Sequence, residues 1–398
     1  MWANARGDYQ VKALELLRAE LLCRGTRCSP SVKAWLRRTK GLSPGFIHGV
    51  VLMLPNGQAV NTRVLDQSAT RVDAPQLVAD GDLVYVDDGR LRVLVDPLPA
   101  GAALLGNMRG LPTAVASFSL HNPATLFCSP VDQCIYGTIG KPCTFCTYDM
   151  TSRVRQLDPA SFSHALQRIR DSRPRVANLA LGGGTPTLSD SGASYYADLA
   201  SRAKALGLAT SVELVPPEQL ERMDPLFESA DALIMSLEVW DDARREEICL
   251  GKGYLGRTHY ARAWQRCLNA LGPGTVASVL IVGLEPLEST LRGALALIQE
   301  GVIPTLIPFR RYDRMAGAPA SYDVEPEDYL QLSALVRHEL ARNSLDAGRQ
   351  PGCTGCGGCS MEVCPASDQI GGVITVASDR GLGSGTPTQN AGEAAIPS

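Results

Sequence analysis

The sequence lacks any apolar run approaching the ~20 residues that a membrane-spanning helix needs. Its first eight residues, Met-Trp-Ala-Asn-Ala-Arg-Gly-Asp, contain no hydrophobic signal core. It also lacks an excess of positive charge. The formal net charge is -3, which argues against a role dominated by nucleic acid or another polyanion. No internal repeat is present beyond an alternation of strand-like and helix-like runs. These absences lead to the expectation of a cytoplasmic protein with neither a membrane nor a nucleic-acid partner.

At 398 residues the chain is too long for one small domain and suits a barrel of ~200–250 residues with flanking pieces. It holds 12 cysteines. In a reducing compartment that number points to metal ligation rather than to disulfides. Seven of them fall in two tight clusters. The others, Cys23, Cys28, Cys128, Cys249 and Cys267, are scattered and read as small buried hydrophobes.

Val11, Leu14, Leu16, Leu17 and Leu21 recur at near-helical spacing, which predicts a helix over 9–24. Ser29-Pro30 and Ser43-Pro44-Gly45 punctuate the stretch after it. β-rich runs come next at 48–54, 59–65, 83–86 and 91–95, the last two joined by an Asp87-Asp88-Gly89-Arg90 turn. Residues 1–112 therefore read as a small α+β domain that packs or covers substrate. From there strands are expected at 124–127, 176–181, 209–215, 232–239, 276–282 and 302–308. Helices are expected at 162–169, 193–206, 217–227, 260–271, 287–299 and 327–342. Six strand–helix units in series predict a parallel sheet with helices outside. The expected fold class is α/β, a partial (β/α)6 TIM-like barrel over 113–345, with active residues at the C-terminal ends of its strands. Residues 346–380 hold the second cysteine cluster, and 381–398 read as a disordered tail of small residues.

The first cluster is Cys134-Ile-Tyr-Gly-Thr-Ile-Gly-Lys-Pro-Cys143-Thr-Phe-Cys146, with eight and then two residues between cysteines. Three thiolates can hold three irons of a [4Fe–4S] cube and leave the fourth open to a small molecule. Soft thiolates suit iron–sulfur clusters or zinc equally, so spacing alone does not choose. Zinc would want a fourth ligand, and no histidine lies between His121 and His164. Downstream stand Leu181-Gly182-Gly183-Gly184-Thr185-Pro186-Thr187-Leu188 after the second strand, Met235-Ser236-Leu237-Glu238 ending the fourth, and Ile281-Val282-Gly283-Leu284-Glu285 ending the fifth. Glycines let backbone approach a ligand closely. A hydroxyl and a carboxylate at a strand end can bind ribose hydroxyls.

Together the loop and these three segments resemble the radical S-adenosylmethionine (SAM) enzymes, in a long-spaced variant; the common spacing has three residues where this chain has eight. The resemblance implies a [4Fe–4S] cluster on Cys134, Cys143 and Cys146, its open iron chelated by the amino and carboxylate groups of SAM. It implies that Phe145 lies against adenine and that Gly182, Gly183, Gly184 and Thr185 hold the methionine amino group. Ser236 and Glu238 would meet the ribose, with Val282 and Gly283 offering a backbone edge to adenine. The implied reductant is a ferredoxin or flavodoxin.

The second cluster, Cys353, Cys356, Cys359 and Cys364 followed by Pro365, resembles half of a bacterial ferredoxin, with four residues in the last gap where that motif has three. It implies an auxiliary [4Fe–4S] cluster, with a zinc knuckle as the alternative. Such a cluster can relay an electron, bind substrate or donate sulfur. Arg310 and Arg311, after the sixth strand, are candidates to hold a substrate carboxylate or phosphate. The whole pattern looks most like radical SAM proteins found beside nitrilases and like two-component lipoyl synthases. It implies hydrogen abstraction from a small-molecule or carrier-bound substrate, with sulfur inserted from the auxiliary cluster. The alternatives are radical oxidation or rearrangement with that cluster as an electron relay, and a non-catalytic zinc-binding module. A ferredoxin-like carrier fits less well, because it has no need of the glycine-rich segment.

Overall fold

The computed structural model describes residues 2–41, 49–66, 73–106, 113–147, 154–311, 315–317, 319–363 and 374–376. The chain opens with helix α1 (Trp2–Cys23), strand β1 (Thr26–Cys28) and helix α2 (Pro30–Lys40). Ser29-Pro30 starts α2 instead of merely breaking the chain. The Ser29 hydroxyl accepts from the Val32 amide at 3.2 Å, Pro30 supplies the fixed φ of the first turn, and Gly41 ends the helix at φ 68°. Strands β2 (Gly49–Met53), β3 (Ala59–Asp66), β4 (Gln76–Asp80), β5 (Leu83–Asp87) and β6 (Leu91–Pro97) come after it. They pair in the order β6-β2-β3-β1-β4-β5, and β5 returns to β6. The first sheet thus closes on itself, which removes exposed strand edges. The α+β region expected from sequence is a small closed barrel carrying two helices.

The second sheet starts with the hairpin β7 (Phe118–Asn122) and β8 (Thr125–Cys128). Then come helices α3 (Ile135–Thr138) and α4 (Pro159–Ser172), strand β9 (Asn178–Leu181), helix α5 (Ala193–Ala205), and strands β10 (Ala209–Glu213) and β11 (Ala232–Ile234). Helices α6 (Asp242–Ile248) and α7 (Arg257–Leu271), strand β12 (Val276–Val282), helix α8 (Leu287–Gln299), strand β13 (Ile303–Pro308) and helix α9 (Pro326–Arg342) complete it. From β8 to β13 the strands lie in sequence order and every neighbouring pair is parallel. These are the six expected strands, with β7 added antiparallel to β8. The runs are apolar without alternation because a parallel sheet under helices is buried on both faces; Val276, Ala277, Leu280 and Val282 of β12 are all buried. Residues 217–227 depart from expectation. A 3-10 stretch, Leu220–Leu226, replaces the predicted helix and has Pro225 inside it, where a proline removes an amide donor.

The sheet stays open between β13 and β7. The second cysteine segment packs against the sheet. It begins with a single helical turn, α10 (Gly352–Cys356), pressed on β9 and β10: a Cβ on Gly352 would lie 1.8 Å from Ser211 Oγ and 3.2 Å from Ala180 Cβ. The Asn61 amide of β3 donates to the Gly358 carbonyl at 2.6 Å. The Leu306 amide of β13 donates to Glu362 Oε2 at 3.2 Å. Strand β14 (Ile374–Val376) pairs antiparallel with β6. Cys364 and residues 381–398 lie outside the described residues.

One buried carboxylate fixes the loop that ends the β11 region. Glu285, 2% exposed, accepts from the Trp240 amide at 2.8 Å, the Asp241 amide at 2.9 Å and the Ser289 hydroxyl at 2.8 Å. It is therefore a structural group and holds the segment that carries Glu238. Glu285→Ala strands these donors and is expected to lower stability by about 2–4 kcal/mol. A urea midpoint equal to that of the parent would contradict this role.

Candidate functional site

Cys134 caps α3, and Gly140 reverses the chain at φ 74°. The Lys141 amide donates back to the Tyr136 carbonyl at 2.7 Å. Cys143 then forms an isolated antiparallel bridge with Cys249, and the Thr144 and Cys146 amides donate to the Ile248 and Cys143 carbonyls at 2.8 and 2.9 Å. One helical turn and one reversal thus absorb the long gap between the first two cysteines. Two glycines hold the loop from opposite sides. A Cβ on Gly184 would lie 2.2 Å from the Gln133 carbonyl oxygen and 2.7 Å from the Cys134 nitrogen. One on Gly251 would lie 2.3 Å from Tyr136 Cδ1 and 2.6 Å from the Lys141 oxygen. Both contacts involve backbone or a buried ring, so no larger residue fits without moving the loop.

The sulfurs are solvated by protein donors. Cys134 Sγ accepts from the Thr185 amide at 3.4 Å. The Cys249 thiol donates to Cys143, and this bond, followed by the Lys252 ammonium, holds Cys143 below the usual thiol range against its burial. Cys249 itself is pushed well above that range, first by the same bond and then by burial. Sequence alone reads Cys249 as a small hydrophobe; its backbone bridge to Cys143 is a long-range pairing with no local signature. Lys252 is buried and paired with Glu238; burial pulls its pKa down, but Glu238 and then Cys143 hold it well above the ordinary value. Glu238 adopts φ 76°, the left-handed region that costs a non-glycine residue on the order of 1–2 kcal/mol. Backbone bonds fix it there: its amide donates to Val279 at 2.9 Å and its carbonyl accepts from Ile281 at 2.6 Å.

A cavity of about 420 Å³ lies in front of these groups. Phe145 and Cys146 of the loop line it, as do Ser236, Glu238 and Arg310. Alternate residues Val279 and Ile281 of β12 and Thr305 and Ile307 of β13 form one wall. The remaining predicted residues lie around it. Gly182 sits against Glu213 and Phe127, both cavity residues, and Gly183 has φ 154°. The Thr185 carbonyl accepts from the Ile135 amide at 2.8 Å, so the glycine segment and the loop are joined in both directions. The Val282 side chain is buried in the sheet core, and Gly283 takes φ 98° under Tyr322 and Val324. Arg311 turns away, towards the Pro319 carbonyl at 3.4 Å and the Ser321 hydroxyl at 3.3 Å.

Glu213 and His121 also front the cavity, and sequence reasoning does not single out either for this site. Glu213 ends β10 and accepts from the Ser236 hydroxyl at 2.9 Å. Burial, then the charge of Glu238, raises its pKa despite that bond. The signal for it is a charged residue inside the apolar run 209–215. His121 stacks on Phe127 with centroids 4.8 Å apart and 7° between planes, and burial lowers its pKa to about 4.

Cys353, Cys356 and Cys359 line the same cavity as Cys146. Gly357 turns the chain at φ 63°, and the Gly358 amide donates to Cys356 Sγ at 3.3 Å. Burial, then the neighbouring thiols, pushes Cys353 up and Cys356 up to about 12. Beneath the turn lies Arg18 of α1, 1% exposed. It donates to the Gly357 carbonyl and, at 2.7 Å, to the Ser360 carbonyl. Its Nε and Nη1 have no hydrogen-bond partner among the described residues, and burial lowers its pKa. A buried guanidinium with unmet donors is costly unless a negative charge sits beside it. Buried Glu362 interacts with it, and thiolates holding an iron–sulfur cluster would add further negative charge, since a coordinating thiol is deprotonated. The donor set, the amide directed at sulfur and the unmet Arg18 N–H groups fit such a group. Among the described residues no three His, Cys, Asp or Glu side chains are grouped to hold a single metal ion; Cys364 lies outside them.

No protein-family model matches the chain, and no curated protein matches it. Solved structures with a similar arrangement include SuiB from Streptococcus suis bound to SAM (13% identity, TM-score 0.43, covering 58% of this chain and 49% of that one). Methylornithine synthase, PylB, is similar at 15% identity and TM-score 0.45, over 65% of this chain and 76% of that one. A radical SAM methyltransferase from Sphaerobacter thermophilus is similar at 14% identity and TM-score 0.44, over 72% and 79%. The match spans about half the length of SuiB.

Two outcomes are expected from this geometry. In a chain whose C-terminal cysteines are replaced by alanine, Gly184→Ala displaces the Cys134 loop and removes most of the remaining bound iron; undiminished iron, measured by chelation, would count against the clamp. His121 has a folded pKa below its unfolded value, so its contribution to stability is complete above pH ~6.5 and is lost as pH falls towards 4. Urea midpoints should decline across that window, and His121→Gln should flatten the decline. Parallel profiles for the two proteins would rule this out.

Proposed function

We propose that the chain is a radical SAM enzyme, with a [4Fe–4S] cluster on Cys134, Cys143 and Cys146 and a second on Cys353, Cys356 and Cys359. Cys134, Cys143 and Cys146 would hold the first cluster, which would supply, once reduced, the electron for reductive cleavage of SAM and so the means to take hydrogen from an unactivated carbon. The protein supplies placement and exclusion of water. Thr185 and Gly184 would receive the methionine end beside the loop. Phe145 would lie against adenine, and Ser236 and Glu238 would take the ribose hydroxyls, with Lys252 fixing the Glu238 carboxylate. Arg310 would face an anionic group of the substrate. Val282 and Gly283 would offer backbone only. A ferredoxin or flavodoxin would reduce the cluster. Among the described residues, no helix is long and apolar enough to cross a membrane.

The observation that carries this reading is that Cys146 of the first set and Cys353, Cys356 and Cys359 of the second line one cavity of about 420 Å³. A substrate held there meets both. That favours direct participation of the second set, so the overall reaction we assign is replacement of C–H by C–S on a small-molecule or carrier-bound substrate, with the second cluster as sulfur source. Oxidation or rearrangement with that cluster as a relay is the competing assignment.

The test is anaerobic reconstitution followed by dithionite and SAM. The expected product is 5′-deoxyadenosine, at a rate at least ~100-fold lower when Cys134, Cys143 and Cys146 are all alanine, a difference of about 2.7 kcal/mol in barrier. Fully iron-loaded protein that yields none would defeat the enzyme reading. Loss of cluster sulfide in one turnover is expected for sulfur insertion; retained sulfide with a sulfur-free product would favour the relay.

A further inference from the structure

Residues 1–112 carry no constellation of their own, yet two of their side chains reach the C-terminal cysteine turn, Asn61 at a sulfur and Arg18 at backbone carbonyls. Asn61 Nδ2 donates to Cys359 Sγ at 3.5 Å, while its own amide holds the Gly358 carbonyl at 2.6 Å. Asn61 stands in β3 opposite Val51 of β2, and the turn at Gly358 takes its amide. Arg18 comes from α1 and grips the turn at Gly357 and Ser360. A Cβ on Gly357 would come within 3.4 Å of the Arg18 Nη2. Two donors on separate elements of one domain thus converge on a turn 298 to 342 residues away in sequence.

We propose that the N-terminal domain is the seat of the second iron–sulfur cluster, and that Asn61 and Arg18 set its reduction potential. This rests on the reading of Cys353, Cys356 and Cys359 as cluster ligands. A hydrogen bond to a ligating sulfur withdraws charge from the cluster, and a buried cation stabilises the extra electron of the reduced form; both raise the potential. Asn61 acts through Cys359, and Arg18 acts through space from under the turn. They are positioning residues. Neither touches the reacting carbon.

The experiment uses the full chain with Cys134, Cys143 and Cys146 replaced by alanine, reconstituted anaerobically with iron and sulfide. Its remaining cluster is titrated potentiometrically and followed by electron paramagnetic resonance. Asn61→Ala is expected to move the midpoint to a more negative value. Arg18→Gln, which keeps an N–H donor for the turn but removes the charge, is expected to move it further, and Arg18→Lys to recover part of the shift. Equal midpoints in the parent and in Asn61→Ala, at equal iron content, overturn the inference. Absence of any cluster from the parent overturns the reading of the C-terminal cysteines themselves, and the inference with it. Should Arg18→Gln fail to fold, Asn61→Ala decides alone, because that half-buried side chain makes one described side-chain bond.

Discussion

The close approach of the Cys134 loop to Gly184 on one side and Gly251 on the other is the constraint on which the rest depends. The loop has no regular pairing of its own beyond one helical turn and the bridge from Cys143 to Cys249. Its position is imposed by backbone contacts that leave no room for a side chain at either glycine. Gly184 follows the C-terminal end of β9, and Gly251 follows α6. The parallel sheet thus brings Gly184 to the C-terminal end of its strands, where such sheets place their sites.

The two flanking parts of the chain meet each other against this sheet. The C-terminal turn is pressed on β9 and β10 through Gly352 and meets the edge of β13 through Glu362. The closed first sheet holds that turn through Asn61, and α1 holds it through Arg18. Polar groups at the centre are paired or poised rather than solvated. Lys252 meets Glu238, Ser236 meets Glu213, and the Cys249 thiol meets Cys143. In a low-dielectric interior such pairs are worth most when each member has a partner.

Much of the barrel was legible in the sequence because strands buried on both faces read as unbroken apolar runs. The expected strands at 276–282 and 302–308 became Val276–Val282 and Ile303–Pro308. The cysteine trio, the glycine run and the Ser236–Glu238 pair were legible as residue types at strand ends. What escaped was whatever depends on long-range pairing. The first sheet closes through β1 with β3 and β4 and through β2 with β6, which no local pattern encodes. The predicted helix over 217–227 gave way to a 3-10 stretch around Pro225. Glu213, Cys249, Asn61 and Arg18 each take their meaning from a neighbour brought from elsewhere in the chain, and Arg311, adjacent to Arg310, turns out of the cavity.

The central claim is that an iron held by Cys134, Cys143 and Cys146 has a coordination position that SAM fills. Electron–nuclear double resonance on the reduced protein, with SAM labelled by ¹⁵N in its amino group and ¹⁷O in its carboxylate, addresses that position directly. The account predicts hyperfine coupling of both labels to the cluster, lost when the three cysteines are replaced. A reduced cluster on these cysteines that shows no coupling to either label at saturating SAM would contradict it.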